Sequence, residues 1–180
     1  MLLRISFAAA VLLSSLTVTP PAAAHLLSAG YGAVNLREDD AIILIGVPAF
    51  AFTGVDDDGD GLLQPEEIQR HTDDILAQLG AGFSLTVDGK TGTASEQQLL
   101  VSVHADDANS TTQVEWWARI ALPDMPKTKA CTDVVLRWFL AAEPSDKQVA
   151  YNIQVRNGDA VEVAILSKDA PAHRFLCESQ

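Results

Sequence analysis

Six carboxylates fall within the twelve residues from Asp56 to Glu67. The run is Asp56-Asp57-Asp58-Gly59-Asp60-Gly61-Leu62-Leu63-Gln64-Pro65-Glu66-Glu67. Asp56, Asp58 and Asp60 alternate, Gly61 follows, and Glu67 closes the series. Alternating carboxylates on a tight turn are the hard oxygen donors that suit Ca²⁺, which takes about 6–8 oxygens at ~2.3–2.6 Å. Without a cation their charges repel one another across a few ångströms. A solvated acidic turn uses the same residue types. An accidental match would have to reproduce Asp56, Asp58, Asp60, Gly61 and Glu67 together, and the start of a helix as well.

The spacing resembles the EF-hand calcium-binding loop at every specified position. The resemblance implies that Asp56, Asp58 and Asp60 each turn one oxygen inward, and that Leu62 offers its backbone carbonyl. Gln64 would act directly or through a water, and Glu67 would supply two oxygens at once. Gly61 takes a turn that a Cβ obstructs, and Leu63 anchors the loop to the core. Only one such loop is present. A structural site is therefore expected rather than a paired-loop sensor, with Ca²⁺ as the cofactor.

The elements needed to hold the loop are legible on its exit side. From Pro65 to Leu79, Ile68, Ile75, Leu76 and Leu79 form a helical stripe. Gln64 stands at the N-cap, Pro65 at the first helical position, and Glu66 and Glu67 in the first turn, where carboxylates favour the helix dipole. Gly80 and Gly82 end the helix. The entering side is weaker. Phe52 and Val55 suit a short helix, which Pro48 limits and Gly54 weakens. A helical insert over about 48–80 is expected.

The remainder reads as strand. Residues 31–37, 41–47, 83–87, 99–103, 114–122 and 134–140 carry apolar runs or apolar–polar alternation. Residues 149–156 and 161–165 flank Asn157-Gly158, the pair expected at the centre of a type I′ hairpin turn. The fold class expected is mainly β (α+β), an antiparallel β-sandwich-like domain over 25–180 with the helical EF-hand insert.

Residues 1–24 read as a secretory signal: Arg4, an apolar stretch to Leu16, Pro20-Pro21, then Ala22-Ala23-Ala24 as the cleavage site. Cleavage after Ala24 would leave His25 first and place the protein in the periplasm or outside the cell. No other segment is apolar for long enough to span a bilayer. Export exposes Cys131 and Cys177 to an oxidising compartment, where a disulfide and two buried thiols are both open. The 180-residue chain has 24 acidic against 12 basic residues and a net charge of −12, which argues against nucleic acid as a partner.

Other chemistry has thinner support. A free amino group beside the imidazole of His25 would chelate Cu(II) as in lytic polysaccharide monooxygenases, given a second His from His71, His104 or His173. A periplasmic copper or transition-metal carrier is therefore the alternative reading. The sequence holds no G-x-S-x-G, H-E-x-x-H, P-loop or G-x-G-x-x-G, so no enzyme is expected. The leading His, the strands, the Asp-Gly loop and the final hairpin together resemble the extracytoplasmic N-terminal region of HupE/UreJ-type membrane proteins. That resemblance implies a periplasmic domain of the same shape. The chain closes at Gln180 without a membrane helix, so transport is not carried over. Beyond calcium, the expected partner is an envelope protein.

Overall fold

The computed structural model describes residues 27–101, 111–122, 133–138 and 149–175. The elements in chain order are β1 (Tyr31–Leu36), β2 (Asp40–Pro48), one 3-10 turn (Ala49–Ala51), α1 (Pro65–Arg70), α2 (Thr72–Gly82), β3 (Phe83–Val87) and β4 (Lys90–Thr91). They continue as β5 (Thr93–Leu100), β6 (Gln113–Ala121), β7 (Val134–Trp138), β8 (Tyr151–Asn157), β9 (Ala160–Leu166) and β10 (Ala172–Phe175). The fold is mainly β, as the alternation predicts.

Six strands form one sheet in the order β5-β6-β2-β1-β8-β9, and four form the other in the order β10-β7-β3-β4. Their inner faces meet on an aromatic cluster. Trp116 and Tyr151 come from the larger sheet and Phe83 and Trp138 from the smaller. Phe83 stands edge-on to Trp116 at 5.5 Å, and Trp138 edge-on to Tyr151 at 5.4 Å between ring centres. Ile43, Ile45, Leu85, Leu136 and Ile153 fill the core around them. Period-two alternation puts these residues on the inner faces and leaves their neighbours outside.

Four expectations need correction. The sheets are not wholly antiparallel, because β1 runs parallel to β8. A strand 115 residues away cannot be paired by any local rule, and a parallel neighbour needs a crossover rather than a hairpin. The second correction concerns the last hairpin, where Asn157 pairs with Ala160 and the turn is Gly158-Asp159. Gly158 has φ +60°, and among the described non-glycine residues only Asp88 has positive φ. The type I′ expectation at Asn157-Gly158 therefore fails. The observed register sets Ala164 opposite Ile153 and Leu166 opposite Tyr151. A turn at Asn157-Gly158 would instead bring Glu162 opposite Ile153, in the core.

The third correction is the predicted helix 65–79, which is two helices meeting at His71, and α2 runs through Gly80 to Gly82. Thr72 Oγ1 donates to the Ile68 carbonyl at 2.6 Å, the back-bonding that bends helices. The fourth is the entering helix, which is absent. Only the 3-10 turn Ala49–Ala51 is helical there, although Phe52 and Val55 are buried as expected. Strands β4 and β10 and the early start of β5 at Thr93 carry too few apolar residues to be read locally.

A close approach explains one glycine. A Cβ on Gly46 would lie 2.7 Å from the Ser28 carbonyl oxygen, where residues 27–30 cross β2. Gly46→Ala is therefore expected to lower stability by about 1–3 kcal/mol, because backbone rather than a flexible side chain must move. Urea unfolding that gives an unchanged midpoint would contradict this packing. No helix among the described residues is long and apolar enough to cross a membrane.

Candidate metal centre

The acidic loop folds as its residue types require. Gly59 and Gly61 take φ +74° and +83°, the left-handed region that glycine enters without a Cβ penalty. Those turns aim backbone N–H groups at carboxylates. Gly59 N–H and Gly61 N–H donate to Asp56 at 2.7 and 2.9 Å. Asp60 N–H donates to Asp58 at 3.1 Å, and Leu62 N–H to Asp60 at 2.7 Å. Oxygens of Asp56, Asp58 and Asp60 lie within 4.8 Å of one another.

Glu67 stands apart from that group. It is only 6% exposed, on the first turn of α1. Its Oε1 accepts the Asp57 N–H at 2.7 Å and its Oε2 the Gln64 N–H at 2.9 Å, so it spans the two ends of the loop. Gln64 Nε2 donates to Asp60 Oδ2 at 3.0 Å. Gln64 faces the Glu67 N–H in the manner of a capping box, yet its Oε1 is buried and makes no contact of hydrogen-bond geometry. Leu63 is fully buried, as an anchor should be.

The electrostatics carry the strain of this crowding. The Gly61 N–H, helped by Gly59, holds the Asp56 carboxyl below the usual carboxylate range. At Asp58 the Asp60 N–H pulls down, but desolvation and the charges of Asp60, Glu67 and Asp56 outweigh it and push the carboxyl up. A cation among these oxygens would reverse the repulsion. Hard carboxylate and amide oxygens are the donor set Ca²⁺ takes, and the orphaned Gln64 oxygen fits the same set.

Two supports escape sequence reasoning. Asp57, which is not a candidate ligand, accepts from Arg70 and lies 3.0 Å from His71 Nε2. His71 is thus a packing and pairing residue at the helix break. Thr53 pairs with Gln78 through its N–H and carbonyl at 3.0 and 3.1 Å, tying the entering segment to α2. Neither pairing leaves a motif, because each joins positions whose spacing is set by the fold.

The Asp57 bond, then Asp74, raises the His71 pKa above its ordinary 6.5. Its contribution is full below the unfolded value and lost as pH rises through the folded one. His71→Gln should therefore lower Tm more at pH 5.5 than at pH 8.5. An equal loss at both would show that the pair adds nothing.

His173 contacts Glu162 at 2.7 Å on other elements, and among the described residues neither it nor His71 joins a metal-ligating cluster. His25, His104, Cys131, Cys177 and residues 1–24, the expected signal segment, lie outside the described residues. No protein-family model matches the chain, and no curated protein matches it.

Proposed function

We propose that this is an exported calcium-binding domain, non-catalytic, in which one Ca²⁺ pins the helical insert to the sandwich. Asp56, Asp58, Asp60, the Leu62 carbonyl, Gln64 and Glu67 would hold the ion. The observation that carries the reading is the convergence of three carboxylates within 4.8 Å on a turn set by two left-handed glycines. Ca²⁺ would supply positive charge where Asp58 is pushed up by its neighbours. Each carboxylate oxygen that accepts one N–H keeps a further lone pair for the ion.

The role is structural because the loop joins the larger sheet, through the Leu63–Thr111 bridge, to α1. Extracellular modules need only weak sites, on the order of 10⁻⁴–10⁻³ M. Calorimetry should find one Ca²⁺ per chain. At about a hundredfold excess over Kd, calcium should add ~2.7 kcal/mol of stability, or about 5–10 °C in Tm. The absence of both heat and thermal shift would defeat the reading. An envelope protein is the partner class that export favours, with the sandwich as an interaction module.

A further inference from the structure

The loop is joined to the larger sheet by one reciprocal pair of backbone bonds. Leu63 N–H donates to the Thr111 carbonyl at 2.9 Å, and Thr111 N–H donates to the Leu63 carbonyl at 2.9 Å. Both residues are buried. Thr111 lies just before β6, and its own conformation is locked. Its hydroxyl donates to the Gln113 carbonyl at 2.7 Å and accepts the Gln113 N–H at 3.2 Å. The next residue is held too, since the Thr112 carbonyl accepts the Ala49 N–H at 2.8 Å.

This bridge acts on the peptide unit that matters most to the ion. The Leu63 N–H and the Leu62 carbonyl belong to one planar trans peptide. With its N–H fixed on Thr111, that unit must aim the Leu62 carbonyl the opposite way, away from β6. Leu62 is also held on its other side, where its N–H donates to Asp60. The carbonyl that would ligate calcium is thus oriented before the ion arrives.

We infer that Thr111 is a positioning residue for calcium, and that through it the larger sheet orients this single loop. The inference rests on the calcium reading above. The coupling runs both ways. A cation held by the Leu62 carbonyl would polarise the amide and strengthen the Leu63 N–H as a donor to Thr111. Calcium occupancy is therefore felt at the start of β6 through one peptide plane.

The experiment is a Ca²⁺ titration of ¹⁵N-labelled protein, read by calorimetry and by amide NMR. In the wild type, the Leu63 amide proton should move downfield on saturation and exchange at least about tenfold more slowly. Thr111→Val removes the hydroxyl lock at near-constant volume. It should weaken calcium on the order of tenfold, as loss of outer-shell support does, and shrink the Leu63 response. Thr111→Ser should restore both. Wild-type protein that takes up calcium and shifts Gly61 while Leu63 stays unchanged would overturn the coupling and leave the calcium site standing. Thr111→Val binding as tightly as wild type would overturn the positioning role. No calcium heat in the wild type would overturn the inference together with the reading beneath it. The wild-type Leu63 measurement remains decisive even if the valine variant does not fold.

Discussion

Replacing Glu67 by alanine should raise the calcium Kd on the order of a hundredfold, equivalent to ~2.7 kcal/mol. Glu67 is the one candidate ligand carried by a helix rather than the loop, and it is nearly inaccessible to solvent. Its carboxylate accepts N–H groups from Asp57 and Gln64, so truncation removes a donor to the ion and also two loop contacts. The unbound protein should therefore lose stability too, by about 1.5–3 kcal/mol for each charge-assisted bond at most. Glu67→Gln separates the two effects. The amide oxygen still accepts an N–H, so unbound stability should stay nearer the wild type, while calcium binding falls because the charge is gone. Equal calorimetric heats in wild type and Glu67→Ala would show that the ion, if bound, sits elsewhere.

Trp116→Ala should produce the largest loss of folding stability, about 3–5 kcal/mol. Trp116 is fully buried at the junction of the two sheets. It meets Phe83 edge-on at 5.5 Å and Trp138 at 6.1 Å, and its indole N–H donates to Gln97 Oε1 at 3.2 Å. Truncation leaves a cavity that neither sheet can close, because β6 is held by β2 on one side and β5 on the other. Trp116→Phe keeps most of the volume and should cost less than the alanine change. A urea midpoint for Trp116→Ala within error of wild type would mean that the sheets do not pack on this cluster. Saturating calcium should offset only part of the loss, since linkage adds a fixed increment set by [Ca²⁺]/Kd.

The legible parts of this protein share one property. Each depends on a few residues close in sequence whose side chains state their own requirement. Asp56, Asp58 and Asp60 come together because alternation and the turn at Gly61 leave them no other direction. The stripe Ile68, Ile75 and Leu79 is buried as its spacing predicts. Inward residues such as Val114, Trp116 and Ala118 are buried too, but so is Glu115, whose charge suggests the reverse. Leu27 N–H donates to that carboxylate at 3.1 Å, a contact across 88 residues that no pattern announces.

By itself, the sequence determined the convergence of Asp56, Asp58 and Asp60, the turn at Gly61, a helical exit from the loop and the mainly β class. Side-chain type and local sterics specify those features within a turn or two. Only the tertiary structure decided that β1 runs parallel to β8 and that the loop hangs on Thr111. Those outcomes are made by backbone N–H and C=O groups meeting across long separations. Every residue but proline carries the same pair, so composition and spacing cannot say which two will meet.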